Sequence, residues 1–228
     1  MSVPDEARVA PAGDAALVVQ FTQRIDPGIN ARAMALARAL QNRWGAILRD
    51  VVVAYCSVTV YFDPIRVDGR WLESELEAMT AETRDAPAAP GAVVDVPVCY
   101  EGELAPDLER VAAFGRCSPE EVVALHTGRT YRVYMMGFAP GFAYLAEVDA
   151  RIAAPRLPTP RLTVPAGAVG IAGPQTGIYP LETPGGWNII GRTALKPYDP
   201  QRGTPFLLRP GDSVQFVSIP YDAFEGQA

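Results

Sequence analysis

The sequence has 228 residues, of which 49% are hydrophobic and 20% charged, with a formal net charge of −6. That balance suits a globular protein with ample core material, and the absence of a basic stripe excludes nucleic acid as a partner. No stretch approaches the ~20 apolar residues of a membrane helix, and the opening MSVPDEARVAPAGD lacks the basic start and apolar core of a signal peptide, so the expectation is a cytoplasmic chain.

Residues 1–86 read as a small α+β domain. Leu17 to Phe21 is a short strand. Asp26-Pro27 has the form of an N-cap and first helical residue, and Ile29, Ala33, Leu36, Ala37, Leu40 and Trp44 follow helical spacing up to Gly45. Val51–Tyr55 and Val58–Phe62 are rich in β-branched residues and predict two strands. A second helix is predicted from about Arg70 to Thr83, with Asp68 as its cap. Strands interleaved with two helices imply an antiparallel sheet carrying both helices on one face. The Pro/Ala/Gly segment over 85–92 reads as a linker to a second domain spanning 92–228.

The second domain opens with a strand, Val93 to Cys99, and two short helices near Pro106–Phe114 and Pro119–His126. Ser118-Pro119-Glu120-Glu121 has the spacing of a capping box. Beyond Tyr131 the helical period stops. Gly137 to Thr193 holds nine glycines and eight prolines, a density that argues for short strands and tight turns in a β-barrel or sandwich. Disorder is excluded because Ile171, Ile178, Tyr179, Leu181, Trp187, Ile189 and Ile190 supply core material. Between Leu162 and Gly191 the only charge is Glu182. A loop surface so free of charge is expected to be buried, covered by a partner, or lining a pocket. Ser213–Val217 is an alternating strand after the turn Arg209-Pro210-Gly211-Asp212.

Scarcity limits the chemistry. The chain has one histidine, His126, and one lysine, Lys196. A zinc site built on several histidines is excluded, no metal ligand set is assigned, and a P-loop is absent because Lys196 sits in Ala-Leu-Lys-Pro. Three widely spaced cysteines, Cys56, Cys99 and Cys117, read as buried thiols. Any ATP would be held by backbone N–H groups, arginines or a partner. Gly137-Phe-Ala-Pro-Gly-Phe-Ala-Tyr-Leu145 puts aromatic side chains on a tight loop. Pro155-Arg-Leu-Pro-Thr-Pro-Arg161 presents Arg156 and Arg161 from a stiff frame, and arginine forks bind carboxylate or phosphate. His126, at a helix C-terminus, suits either a structural role or proton transfer near neutral pH.

These motifs, followed by Val-Pro-Ala-Gly (164–167), Gln-Thr-Gly-Ile-Tyr-Pro (175–180) and Pro-Gly-Gly-Trp-Asn-Ile-Ile-Gly-Arg-Thr (184–193), resemble in order and spacing the 5-oxoprolinase / allophanate hydrolase / sporulation-kinase inhibitor family of carboxyltransferase-like chains. The resemblance covers almost the whole chain. It implies an α+β fold class, with a small N-terminal α+β sandwich followed by a cyclophilin-like β-barrel. It also implies two partners, a second carboxyltransferase-like subunit and a third subunit, which together hydrolyse 5-oxo-L-proline to L-glutamate using ATP with magnesium. Ala143 and Ala168 depart from the family, which often has proline and serine there.

Residue chemistry then suggests roles. Arg156, Arg161 or Arg192 would hold a carboxylate or phosphate. Gln175, Asn188 and nearby backbone N–H groups would orient the lactam, while Tyr144, Tyr179 and Trp187 wall the pocket and His126 moves a proton. Two alternatives accompany this reading: a module that inhibits a sensor histidine kinase, and a carboxyltransferase-like subunit acting on urea or allophanate. The latter would need biotin from another chain, because Lys196 lacks the setting of a biotinylation site.

Overall fold

Four strands open the chain: β1 (Arg8–Pro11), β2 (Ala16–Gln20), β3 (Leu48–Val53) and β4 (Ser57–Phe62). They pair antiparallel in the order β1-β2-β4-β3. The computed structural model describes residues 7–83 and 91–226, and the chain divides into two compact units, Met1–Pro90 and Gly91–Ala228. Residues 85–90 of the expected linker lie outside the described residues.

In the first unit, helix α1 (Pro27–Trp44) starts where Asp26 Oδ1 accepts from the N–H groups of Gly28 and Ile29, at 2.9 and 3.1 Å. Asp68 does the same for α2 (Gly69–Glu82), accepting from Arg70 and Trp71. Each cap satisfies donors that the first turn cannot. Leu17 and Val19 on β2 and Val58 and Val60 on β4 share one face by their period of two. They form a single core with Ala33, Leu36 and Leu40 of α1 and Leu72, Leu76 and Met79 of α2. Both helices therefore lie on one face, as the interleaved pattern implied. Strand β1 was not anticipated. It is an edge strand that ends on Pro11, a residue tolerated there because no neighbour needs its missing donor.

The second unit contributes β5 (Val93–Val98), α3 (Leu108–Gly115), α4 (Pro119–Thr127), β6 (Thr130–Met136), β7 (Ala143–Ala146), β8 (Arg161–Val164), β9 (Ala168–Ala172), β10 (Gln175–Ile178), β11 (Thr183–Gly185), β12 (Asn188–Arg192), β13 (Ser213–Ser218) and α5 (Tyr221–Glu225). The capping box forms in full at α4: Ser118 accepts from Glu121 N–H, and the Glu121 carboxylate accepts from Ser118 N–H. Seven strands make one sheet in the order β12-β9-β10-β7-β6-β13-β5, and β8 pairs with β11 in a separate ribbon. Only β13 and β5 run parallel.

The sheet's two ends meet. Cys99, just past β5, exchanges both backbone hydrogen bonds with Arg192 at the end of β12, each 2.9 Å. That closes the sheet into a barrel, which removes its open edges. A side chain at Gly191 would bring its Cβ to 2.7 Å from Val98 Cγ1 and 2.8 Å from Cys99 O, so the seam requires glycine. Of the three cysteines expected to be buried, Cys99 at this seam is, whereas Cys56 and Cys117 are half-buried; all three are free thiols.

Alternate residues of the wall face opposite cores. Tyr131, Val133, Leu145, Val169, Ile171, Ile178, Ile190, Val214 and Phe216 fill the inside, together with Val111 and Val122 from the helices. Ala168, Ala172 and Ile189 face outward and are covered by Phe142, Tyr179 and Trp187. β9 is buried along its whole length, and so are the first four residues of β12. Strands buried on both faces read as continuous apolar runs. This accounts for much of the charge-free stretch from Leu162 to Gly191: β9, β10 and β12 are barrel wall and β8 and β11 a paired ribbon, rather than one long loop.

Candidate functional site

The outer face of β9, β10, β7 and β12 carries five aromatic rings. Phe142, at the start of β7, packs edge-on against Tyr144 (4.8 Å between ring centroids), Trp187 (5.4 Å) and Tyr179 (5.5 Å). Edge-to-face contacts at these spacings stabilise beyond area burial alone. Gly177 presents no side chain to this face; a Cβ there would touch Phe142 and Trp187. A Cβ at Gly185 would fall on the Tyr179 hydroxyl, so β11 can approach the ring only as glycine.

Phe138 completes the group from the loop between β6 and β7. The loop is pinned by Gly137 N–H to Phe142 O (3.1 Å) and Phe142 N–H to Ala139 O (2.9 Å). Phe138 has φ +65°, a left-handed conformation that costs a non-glycine residue on the order of 1–2 kcal/mol. Its ring lies 5.4 Å from Phe142 and 6.3 Å from Tyr179, and it is 62% exposed. Leu162, in the adjoining ribbon of β8 and β11, is 89% exposed.

Guanidinium groups border the rings. Arg156 lies over Trp187, with Cζ 5.9 Å from the ring centroid. Leu157 N–H to Gly186 O, at 2.8 Å, holds the Pro155–Arg161 segment against the loop that precedes β12. Arg161 Nη2 donates to Asp107 Oδ1 at 2.7 Å, and Ile189 N–H donates to Asp107 Oδ2 at 2.6 Å. Asp107 occupies the N-cap position of α3 but makes no side-chain cap bond. Its carboxylate is turned to β12 and β8 instead. Arg110, one turn on, donates Nε to Asn188 Oδ1 at 3.0 Å. Burial pushes the Tyr179 phenol above its ordinary pKa, opposed by hydrogen bonding from the Trp187 backbone and by the positive charges of Arg156 and Arg161.

The carboxyltransferase domain family, subdomains C and D, matches residues 7–208. The chain belongs to this carboxyltransferase-domain family. It is 42% identical over 217 residues to the 5-oxoprolinase B subunit of Bacillus subtilis, covering 91% of this chain and 90% of that one. The crystal structure of TTHA0988 superposes with a TM-score of 0.79 at 44% identity, covering 90% of this chain; the chain spans only 40% of TTHA0988. The Kluyveromyces lactis urea amidolyase shares the fold alone, at TM-score 0.83 and 19% identity, over 98% of this chain and 16% of that one.

Within this carboxyltransferase-domain chain, the residues singled out from the sequence separate into three groups. Tyr144, Tyr179, Trp187, Arg156 and Arg161 come together on the outer face. Gln175 shares that face by register: it stands opposite Ala146, two residues from Tyr144, and two residues before Gly177. Arg192 does not join them. It lies four residues beyond Asn188, about 13 Å along an extended strand, and donates Nε to Ala166 O at 2.9 Å.

Asn188 and His126 belong to the barrel's structure. The Asn188 amide donates to Pro155 O (2.9 Å) and Ile171 O (3.0 Å) and accepts from Arg110, so its hydrogen-bonding groups are taken by the chain itself. His126 is fully buried. Its Nε2 lies 2.9 Å from Thr176 Oγ1, whose own proton goes to Gly170 O at 3.0 Å. Thr176 can therefore only accept, which puts the ring proton on Nε2 and leaves Nδ1 to accept from the Tyr100 hydroxyl at 2.8 Å. The ring stacks on Phe216 at 4.4 Å. Burial lowers its pKa to about 3. A neutral histidine with both nitrogens engaged and no exposed atom does not fit the proton-transfer role expected of it.

Asp107 and Arg110 escaped the sequence reading. Asp-Leu-Glu-Arg at a helix start is indistinguishable from a solvated helix face, and only the fold brings residues 107 and 110 to strands 80 residues downstream. Among the described residues no three His, Cys, Asp or Glu side chains converge as a metal site, and no helix is long and apolar enough to cross a membrane. The groups here that fit an anion, including the phosphates of ATP, are arginines.

Proposed function

We propose that this chain is the B subunit of a 5-oxoprolinase and acts with partner subunits to open 5-oxo-L-proline to L-glutamate at the expense of ATP. The observation that carries the reading is the 42% identity with the Bacillus subtilis 5-oxoprolinase chain over nine-tenths of both sequences. The outer-face site supplies matching chemistry. A lactam bearing one carboxylate calls for an apolar wall and a guanidinium fork, and Tyr144, Trp187 and Phe138 beside Arg156 and Arg161 offer both. ATP supplies the driving force for opening an unreactive cyclic amide. Its phosphates would be held by these arginines or by a partner, and its magnesium by groups on a partner.

The partners are a second carboxyltransferase-like subunit and a third subunit. The reading draws support from TTHA0988, in which the equivalent of this chain is less than half of a longer polypeptide. The exposed Phe138 and Leu162 extend the aromatic face toward such a partner. With His126 locked inside the barrel, the group that moves a proton in ring opening would come from the partner. The test is reconstitution of the complex with and without this chain, followed by ATP-dependent glutamate formation from 5-oxo-L-proline. Undiminished activity without the chain overturns the proposal.

A further inference from the structure

Three arginines lie around β12 and the segment before β8, held through Asn188, Asp107 and Trp187, and among the described residues only one carboxylate, Asp107, is ion-paired to any of them. Arg161 is paired with Asp107, yet its Nη1 is buried and has no hydrogen-bond partner among the described residues. Arg110 donates Nε to Asn188 Oδ1, which leaves its two terminal nitrogens exposed and unpaired among the described residues. Asn188 in turn holds Pro155 O, so Arg156, the next residue, is tied to Arg110 through one amide side chain. Arg156 is exposed, lies over the face of Trp187, and has no carboxylate partner among the described residues. One aspartate against three guanidinium groups leaves a local charge of +2, in a chain whose net charge is −6.

A structural explanation of the cluster accounts for Asp107 and Asn188 but not for the arginines. Asp107 stitches α3 to β12 and β8, and Asn188 stitches β12 to β9 and to Pro155. Both tasks need only one guanidinium each at most. The remaining donors point to something bidentate and negative that the described residues do not supply. A buried donor left unpaired costs on the order of 1–3 kcal/mol, and like charges brought together cost more, so such a cluster persists where an anion offsets it.

We propose that Arg110, Arg156 and Arg161 form an oxyanion site for a carboxylate or a phosphate of a small ligand. Asn188 and Asp107 act as positioning residues that aim the guanidinium groups. The Trp187 and Tyr144 rings beside Arg156 give the ligand's uncharged part an apolar wall. For Arg156 and Arg161 the proposal rests on the site reading given under the proposed function; it adds Arg110, a residue on a helix that the sequence motifs do not include, and fixes the ligand's charged end at the β12 edge.

Binding of four probes distinguishes the sources of the oxyanion: inorganic phosphate, ATP, 5-oxo-L-proline and 2-pyrrolidinone, the last being the same lactam ring without its carboxylate. Each is titrated by calorimetry into the chain and into the reconstituted complex, at low and high salt. Saturable binding of 5-oxo-L-proline but not 2-pyrrolidinone assigns a carboxylate; binding of phosphate and ATP assigns a phosphate. Arg110→Gln and Arg156→Gln are each expected to weaken the bound anion about tenfold or more, with the circular dichroism spectrum unchanged, while Arg209→Gln on another surface leaves binding intact. Failure of every anion to bind either preparation, or an Arg110→Gln variant that binds as the wild type does, overturns the site. Retained glutamate formation alongside absent anion binding would overturn the site and leave the proposed function standing. Intact anion binding in a complex that never forms glutamate would do the reverse.

Discussion

The inside and the outside of the barrel wall both carry polar and aromatic groups, on alternate residues of the same strands, and they treat them in opposite ways. Inside, Thr176 on β10 receives the His126 proton and passes its own to Gly170, while Tyr100 and Tyr131 donate to Nδ1 and to the His126 carbonyl. Every ring hydrogen-bonding atom of that histidine is satisfied. Burial raises the pKa of both tyrosines well above the ordinary phenol value. Outside, the same strand's Gly177 faces the Phe142 and Trp187 rings, and the arginines bordering those rings include a buried Arg161 Nη1 with no hydrogen-bond partner among the described residues. A polar network closed on itself holds a fold together; one with open valences is where a ligand or partner can add something.

The largest test of that contrast concerns His126. Replacing it with alanine removes a stacked ring and leaves the buried Tyr100 hydroxyl without its acceptor, which should cost about 3–5 kcal/mol in equilibrium denaturation. Activity per folded molecule should change little. A loss of activity with stability intact would break the contrast. The pH dependence carries the same information. The folded pKa is near 3 against an unfolded value near 6.5, so below pH 6.5 the unfolded chain takes up a proton that the folded chain refuses. Stability is unaffected above pH 6.5 and falls as the pH drops toward 3, by up to about 5 kcal/mol. Wild type compared with His126→Gln across that window isolates the term from the carboxylates, and parallel melting curves would refute it.

Gly185→Ala is the next test and acts only on the outer face. Its Cβ would collide with the hydroxyl of Tyr179, a ring already enclosed by Phe142 and Trp187. Overpacking of this kind costs about 1–3 kcal/mol. Near-ultraviolet circular dichroism should report altered rings while far-ultraviolet signals persist. Melting without any change in the aromatic signal would show that the cluster yields more easily than its contacts imply.

Local signals in the sequence translated well into structure. Asp26 and the Ser118–Glu121 box set helix starts to the residue and Asp68 to within one, because a cap depends on neighbours three positions apart. Turn density pointed to a barrel or sandwich, and the family resemblance singled out the barrel. The outer face was half legible: Tyr144, Tyr179, Trp187, Arg156 and Arg161 lie close in sequence to the turns that gather them. What local patterns did not reveal was which side of the wall Asn188 faces. Asn188 and Ile189 are neighbours, yet one faces inward and the other outward, and a bulge between Ile189 and Gly191 shifts the register just beyond them. No local pattern reveals that phase. His126 was hard to place for a related reason: rarity suggested chemistry, whereas the partners that occupy its ring nitrogens, Tyr100 and Thr176, are 26 and 50 residues away.

The smallest effects on stability should accompany the most informative effects on function. Arg156→Ala gives up one cation–π contact at the surface, about 0.5–1 kcal/mol, yet it should raise KM for 5-oxo-L-proline in the reconstituted complex more than it lowers kcat. Phe138→Gly is subtler still. The substitution relieves a positive φ worth on the order of 1–2 kcal/mol and forfeits ring contacts of similar size, so the melting temperature should hardly move. If Phe138 is held in that conformation only by the loop's own packing, partner binding and turnover will survive unchanged. If the strain is maintained because the exposed ring meets a ligand or partner subunit, copurification or KM will suffer in a protein that is otherwise as stable as the wild type. The second outcome is the one expected of an outer face built with open valences, and Phe138→Leu, which keeps an apolar side chain on the strained backbone, should fall between the two.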